Sequence, residues 1–476
     1  MYRNELIRNL QGKRATVIGL GISNLPLIDF LLSHGVHVTA RDAKERAALG
    51  DVADRLEARG VALTLGKDYL EEINADFVFR TPGLRPDHPA LLKAVEKGAV
   101  LTSEMELFFT LTPARIIGIT GSDGKTTTTT LTGLFLSEHC RKTGYGRVFV
   151  GGNIGSPLLP LVEDMHPDDF CVVELSSFQL QTMKQSPLIA AVTNLSENHL
   201  NWHVDMAEYV SAKNNIFLHR GNEQVVLNAE NSESMRLLRL IHQPVTFFSS
   251  KKTSFAAFGS LLREGDGAIY ARDGMIWYCD GGAEEALLEV AKIRLPGVHN
   301  LENYMTALAL TRRFADCDDF RAVAEVFEGV RHRLERVRVL DGVTYYNSSI
   351  DSSPTRTAAA LSALSPIRPI VICGGADKNC AFEPLADALC RHAAAVVLTG
   401  ATAEKIHAVL RECPKVQNGQ LPIYRDADFE GAVTLARSLA KEGDTVLLSP
   451  ACTSFDAFRN FEERGDRFCA IVRAFR

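Results

Sequence analysis

Short apolar runs alternate with amphipathic stretches from the start of this chain: residues 15–20, then 25–32, then 36–40, with further units ending at 75–79. Such runs read as buried strands, and strand and helix taking turns predicts a doubly wound parallel sheet. A second segment opens near Pro113 with the apolar run 116–119, and its later strands are predicted at 171–175 and 189–195. From about Ser249 to Ala291 the alternation is shorter and weaker, with Asp-Gly and Gly-Gly turns, which predicts hairpins or a small sheet on the same domain. Residues 295–300 read as a turn opening a helix through Arg313. A third segment starts near Arg331, with strands predicted at 343–346, 370–373, 395–398 and 445–448 and helical patterns between them. The expected fold class is α/β in three domains, 1–111, 112–330 and 331–476. No internal repeat or low-complexity tract is present.

A chain of 476 residues exceeds what one hydrophobic core organises, in keeping with about three domains. The net charge of -6 argues against a general polyanion binder, so no nucleic-acid partner is expected and any anion site must be local. Ten cysteines include no Cys-x-x-Cys pair and no Cys/His cluster at zinc spacing, which reads as free thiols in a reducing cytoplasm. The first five residues lack an apolar signal core, and no stretch is apolar over a membrane's width. A cytoplasmic protein without membrane insertion is the expectation.

The densest chemistry lies at Thr120-Gly121-Ser122-Asp123-Gly124-Lys125, followed by five threonines from Thr126 to Thr130 and preceded by the run 116–119. A strand, a Gly-rich loop, a lysine and a helix start form a triphosphate cradle. Backbone N–H groups close on phosphate oxygens, Lys125 adds charge, and the Thr126 hydroxyl suits Mg²⁺. The upstream glycine is Gly118, one place off the strict spacing, and a structural turn capping a threonine-rich helix is the plain alternative. Glu174 ends an apolar strand and either holds Mg²⁺ or pairs a nearby base. His199 and His203 are four apart, which on a helix puts them on one face, as a structural pair or as ligands. Lys213 by itself reads as a solvated helix residue. Lys378, after Gly374-Gly375, is either a carboxylate binder or a solvated loop lysine. In the first segment, Gly19-Leu20-Gly21 with Asn24 and Asp42 leaves three options: a NAD site, a plain α/β turn, or a nucleotide-sugar site.

The ordered set 121–126, Glu174 through Leu180, Asn198-His199-Leu200, Tyr209 with Lys213, 297–303 and His332-Arg333-Leu334-Glu335 resembles the Mur ligases of peptidoglycan synthesis. The motif 174–180, and 447–456 running on to 460–466, are similar to the branch that acts on D-glutamate. The resemblance spans essentially the whole chain. It implies a Rossmann-like first domain for the UDP part of the substrate, a P-loop ATPase-type central domain and a Rossmann-like third domain for the amino acid. Ile22, Ser23, Asp42 and Gly83 would then face the uridine diphosphate, with Asn153 and Ser176 toward its muramoyl-alanine end. Gly121, Ser122, Asp123, Gly124, Lys125, Thr126, Thr127, Asn303, Arg333 and Ser348 would hold ATP. Two Mg²⁺ ions would rest on Thr126, Glu174, His199 and Lys213, the last as a carbamate made with CO₂; Lys125, Glu174, His199 and Lys213 form the catalytic set. Ser352, Lys378, Ser454, Phe455 and Phe461 would receive D-glutamate.

One block departs from the family's pattern: Asn347-Ser348-Ser349-Ile350-Asp351-Ser352 has Ser348 in place of an aspartate expected at the ATP ribose and Ile350 in place of a lysine. The resemblance implies a monomer that joins D-glutamate to UDP-N-acetylmuramoyl-L-alanine through an acyl phosphate. A related amide ligase for another amino acid, or a nucleotide-binding homologue that does not ligate, are the rival readings.

Overall fold

The computed structural model describes residues 2–199, 202–295, 297–377 and 381–476. The chain divides into two compact units, one ending at Phe327 and one running from Glu328 to Arg476. The first unit holds two sheets. Strands β1 (Arg14–Ile18), β2 (His37–Asp42), β3 (Ala62–Leu65), β4 (Phe77–Phe79) and β5 (Val100–Thr102) pair in the order β3-β2-β1-β4-β5, all parallel. Every residue of β1 after Arg14 is buried, as a central strand covered on both faces requires.

The second sheet has nine strands. Seven run in parallel: β6 (Arg115–Thr120), β7 (Val148–Gly152), β8 (Phe170–Glu174), β9 (Ile189–Val192), β10 (Gln224–Asn228), β11 (Val245–Ser249) and β12 (Gly267–Arg272). Two antiparallel strands, β13 (Met275–Cys279) and β14 (Glu285–Glu289), complete it. The order is β14-β13-β12-β11-β10-β9-β6-β8-β7, so the hairpin expected near residues 249–291 extends the edge of the main sheet. After β6 the chain first builds the β8-β7 side and then returns to build the β9 side. That reversal opens a crevice at the carboxyl ends of β6, β8 and β9. Helix Lys125–Thr143 and helix Val298–Thr311 pack together through Phe135 and Tyr304, whose ring centroids lie 6.1 Å apart.

The second unit carries β15 (Glu335–Leu340), β16 (Val343–Asn347), β17 (Ile370–Gly374), β18 (Ala395–Thr399), β19 (Ile423–Arg425) and β20 (Thr445–Leu448) in the order β15-β16-β20-β17-β18-β19. Only the β15 and β16 pairing is antiparallel. The free-thiol expectation fails at one pair, because Cys390 and Cys413 are joined by a disulfide. They are 23 residues apart in sequence, too far for a spacing motif, yet Lys415 Nζ donates to the Cys390 carbonyl at 2.8 Å. Cys390 lies in helix Glu383–His392 and Cys413 directly before the short helix Pro414–Gln417. No helix among the described residues is long and apolar enough to cross a membrane.

Candidate active site

β6 delivers the loop 121–124 to the amino terminus of helix Lys125–Thr143. Gly121 has φ 146° and Gly124 φ 79°, and a Cβ on either would collide with the Thr193 hydroxyl or the Asn303 amide oxygen respectively. Only glycine fits there. Ser122 N donates to Asn194 O and Asp123 N to Asn194 Oδ1, both at 2.9 Å, while the Ser122 hydroxyl and the Tyr209 hydroxyl are 2.8 Å apart. Lys125 Nζ folds over the loop and donates to Gly121 O at 2.9 Å and Ser122 O at 2.8 Å. The first N–H groups of the helix have no intrahelical partner, so its positive end lies beside this ammonium.

Glu174 ends β8 opposite Ile119 of β6 and Gly152 of β7. Its Oε2 accepts from the Thr126 hydroxyl at 2.8 Å and its Oε1 from Asn153 Nδ2 at 3.0 Å. A hydroxyl and a carboxylate are hard oxygen donors, and Mg²⁺ needs only one or two protein ligands when phosphates and waters complete its shell. That economy fits the observation that no group of three or more His, Cys, Asp or Glu is placed to hold a metal among the described residues. Ser176 follows at once and caps the short helix Ser177–Leu180, its hydroxyl and Gln179 forming a capping box.

Lys213 is not a solvated helix residue. It is 2% exposed and lies directly beneath the phosphate loop, with Nζ 3.0 Å from Thr120 Oγ1 and 2.9 Å from Gly121 O. Burial, and then the charge of Lys125, hold its amine well below the usual lysine range. The two histidines also differ from the helical expectation. His199 has φ 56° and begins a turn in which Trp202 N and His203 N both donate to its carbonyl. A left-handed residue breaks helix geometry, so the pair does not share a helical face. His203 is buried, its Nε2 2.9 Å from the Ser177 hydroxyl, whereas His199 meets the edge of Phe178 at 4.9 Å between centroids.

At the first sheet, Asp42 Oδ2 accepts from Leu20 N at 2.7 Å and Oδ1 from Lys44 N at 2.8 Å. Asn24, where a third glycine would stand, is buried and donates to Ile18 O at 3.0 Å and Gly19 O at 2.9 Å. Ile22 is 80% exposed at the tip of that turn, next to Ser23 at the start of helix Asn24–Ser33. Gly83 O accepts from Trp202 Nε1 at 2.9 Å.

The carboxyl ends of β16, β17 and β20 converge in the second unit. Ser348 is buried, and its hydroxyl accepts from Leu334 N at 3.1 Å, one residue beyond Arg333. Asp351 is buried beside it and accepts from the Ser449 hydroxyl at 2.8 Å; burial pushes its carboxyl up to about 6. An aspartate at position 348 would set two carboxylates against each other, so serine at 348 and aspartate at 351 form a compatible pair. Ser349 Oγ donates to Phe461 O at 2.8 Å and accepts from the buried Arg464 Nε at 3.0 Å, which fixes the start of helix Phe461–Ala474. Ser454 is buried and Phe455 is 70% exposed; Lys378 lies outside the described residues. Asn303 reaches Thr128 Oγ1 at 3.3 Å from helix Val298–Thr311.

Motif reading missed Asn194, Thr193 and Tyr209 as the scaffold of the loop. The one signal for Asn194 was a polar residue directly after an apolar strand.

Three adjoining regions match family descriptions: "Mur ligase MurD-like, N-terminal domain" over residues 13–103, "Mur ligase middle domain" over 119–311 and "Mur ligase, glutamate ligase domain" over 332–452. The chain is 46% identical over 472 residues to the UDP-N-acetylmuramoylalanine–D-glutamate ligase of Clostridium novyi, covering 98% of each chain. It is 43% identical to the enzyme of that name from Clostridium perfringens, again over 98% of each. Among solved structures, the UDP-N-acetylmuramate–alanine ligase MurC of Thermotoga maritima shares the fold, with TM-score 0.54, 18% identity and coverage of 97% of this chain and 99% of that one. The chain therefore belongs to the Mur ligase family, in the branch of the UDP-N-acetylmuramoylalanine–D-glutamate ligases.

Proposed function

We propose that this chain, acting as a monomer in the cytoplasm, joins D-glutamate to UDP-N-acetylmuramoyl-L-alanine at the expense of ATP. The observation that carries the reading is the stack at the carboxyl ends of β6 and β8: a phosphate loop with its lysine, an acid joined to the first helical threonine, and a buried amine under the loop. Residues 121–127 would hold the triphosphate, with Asn303 bracing the loop through Thr128. Arg333 and Ser348 would meet the nucleotide, and Ser352, Lys378, Ser454, Phe455 and Phe461 the D-glutamate.

Thr126 and Glu174 would hold one Mg²⁺, and His199 with Lys213 a second. Bound there, Mg²⁺ would supply positive charge for the phosphoryl oxygens; the alanine carboxylate attacks the γ-phosphorus and ADP departs. Lys125 adds a fixed cation to the same oxygens. The amine of D-glutamate then attacks the acyl phosphate carbon, and phosphate leaves. As an ammonium Lys213 would repel a metal. Burial lowers the pKa of its amine and so favours the uncharged form, which would take up CO₂ and become an anionic oxygen ligand. On the substrate side Asn153, bonded to Glu174, and Ser176 would meet the muramoyl-alanine end, and Ile22, Ser23, Asp42 and Gly83 would face the uridine diphosphate.

The test is phosphate release from ATP with UDP-N-acetylmuramoyl-L-alanine and each candidate amino acid in turn. Release only with D-glutamate is expected; release that ignores D-glutamate, or none, overturns the reading.

A further inference from the structure

A buried cation bolts the loop that carries Gly83 to the central sheet. Arg80, directly after β4, is 1% exposed. Its Nη1 donates to the carbonyls of Thr81 at 3.5 Å, Pro82 at 3.2 Å and Leu84 at 3.0 Å, all in its own loop. Its Nη2 donates to Phe178 O at 2.8 Å and Thr182 Oγ1 at 3.2 Å, about a hundred residues away in the segment that follows Glu174. The Thr182 hydroxyl continues to Glu106 Oε2 at 3.1 Å, which also accepts from Ser103 at 3.0 Å. One planar group thus holds two segments, and nearly all its acceptors are carbonyls.

An arginine buried in this way is a weak source of stability, since desolvation opposes the gain. Its rigid fork does something an apolar residue cannot: it sets the distance and angle between the two segments it grips. One segment carries Gly83. The other leaves Glu174 through the Ser176 cap.

We propose that Arg80 is a positioning residue for ligation, fixing the 81–84 loop against the helix after Glu174 so that the substrate carboxylate arrives in line with the phosphoryl group. The proposal rests on the ligase reading above. A lysine at 80 keeps the charge but lacks the fork, so it can serve one segment at a time.

The experiment compares Arg80→Lys and Thr182→Val with the unaltered enzyme in melting temperature, kcat, and KM for each substrate. With melting held within a few degrees, Arg80→Lys is expected to lower kcat/KM for UDP-N-acetylmuramoyl-L-alanine about 100-fold, the order expected for a small misplacement of reacting groups. Its KM for ATP should stay within about twofold, a split that a general loss of folding does not produce. Thr182→Val, which removes one central acceptor and keeps Phe178 O, should show the same split at about tenfold. Unchanged kcat/KM for UDP-N-acetylmuramoyl-L-alanine, or a KM for ATP raised as far as that kcat/KM falls, overturns the proposal. If Arg80→Lys does not fold, Thr182→Val decides. Failure of the ligase reading appears in the unaltered chain, as absent D-glutamate-dependent phosphate release; failure of this inference appears only in the comparison between variants.

Discussion

Two turns of this molecule share one backbone plan and differ in chemistry. Residues 19–24 and residues 121–124 each leave the first strand of a parallel sheet and open a helix. In the central sheet, Lys125 folds back on the carbonyls of Gly121 and Ser122 beside the helix end, and the scaffold is built from outside by Asn194, Thr193 and Asn303. In the first sheet, the turn is pinned from within. Asp42 takes the Leu20 amide, and Asn24 takes two carbonyls at the point where a dinucleotide turn would use glycine. The comparison teaches that one strand-turn-helix plan takes on different chemistry according to its side chains: the central turn sets a lysine at the helix start, and the first sheet's turn does not.

The sharpest way to break that contrast is to remove the cation. Lys125→Ala is expected to lower ligase activity about 1,000-fold, the upper range for loss of one transition-state donor, with an unchanged melting curve. Lys213→Ala, which empties the space under the same loop, should cost about 100-fold and recover in part when small carboxylates are added. Full activity without them would remove the carbamate. Stability should then tell the two turns apart. Asp42→Asn is expected to lower unfolding free energy in urea by about 1.5–3 kcal/mol, the range for hydrogen bonds to a charged group. Asp123→Asn, at an exposed side chain whose loop contacts run through its backbone, should stay within about 0.5 kcal/mol. Asn24→Gly would restore the third glycine at a cost of about 1–2 kcal/mol. NADH fluorescence should show no binding; binding would mean that the residue at 24 alone decides between the two chemistries.

The strand, glycine turn and helix start at 115–125 were legible because those residues are contiguous in the sequence. Glu174 was legible for a related reason, since a polar residue ending an apolar strand of a parallel sheet falls where such sheets gather their sites. The turn at 19–24 stayed ambiguous because its decisive contact, Asp42 to Leu20 N, spans 22 residues. Lys213 looked solvated from helical spacing alone, and only the folded chain puts it beneath Gly121. Arg80 carried no signal at all: four of its five acceptors are carbonyls, which every residue type presents alike, and the two that tie it to the second segment lie about a hundred residues ahead. The disulfide between Cys390 and Cys413 was hidden in the same way by chain separation. The pairing of Ser348 with Asp351 needed the geometry to turn an apparent loss into a rearrangement of one carboxylate.

The two glycines of the phosphate loop bear on how inhibitors of such an enzyme would age. A side chain at Gly121 would strike Thr193, and one at Gly124 would strike Asn303, in addition to the backbone strain at both positions. Resistance by substitution at either residue would destroy the cradle along with the drug's foothold. A compound drawing its affinity from the backbone of those two residues would press on ground the protein cannot change one residue at a time, whereas one leaning on the exposed Ile22 side chain would meet a position where a substitution disturbs no packing.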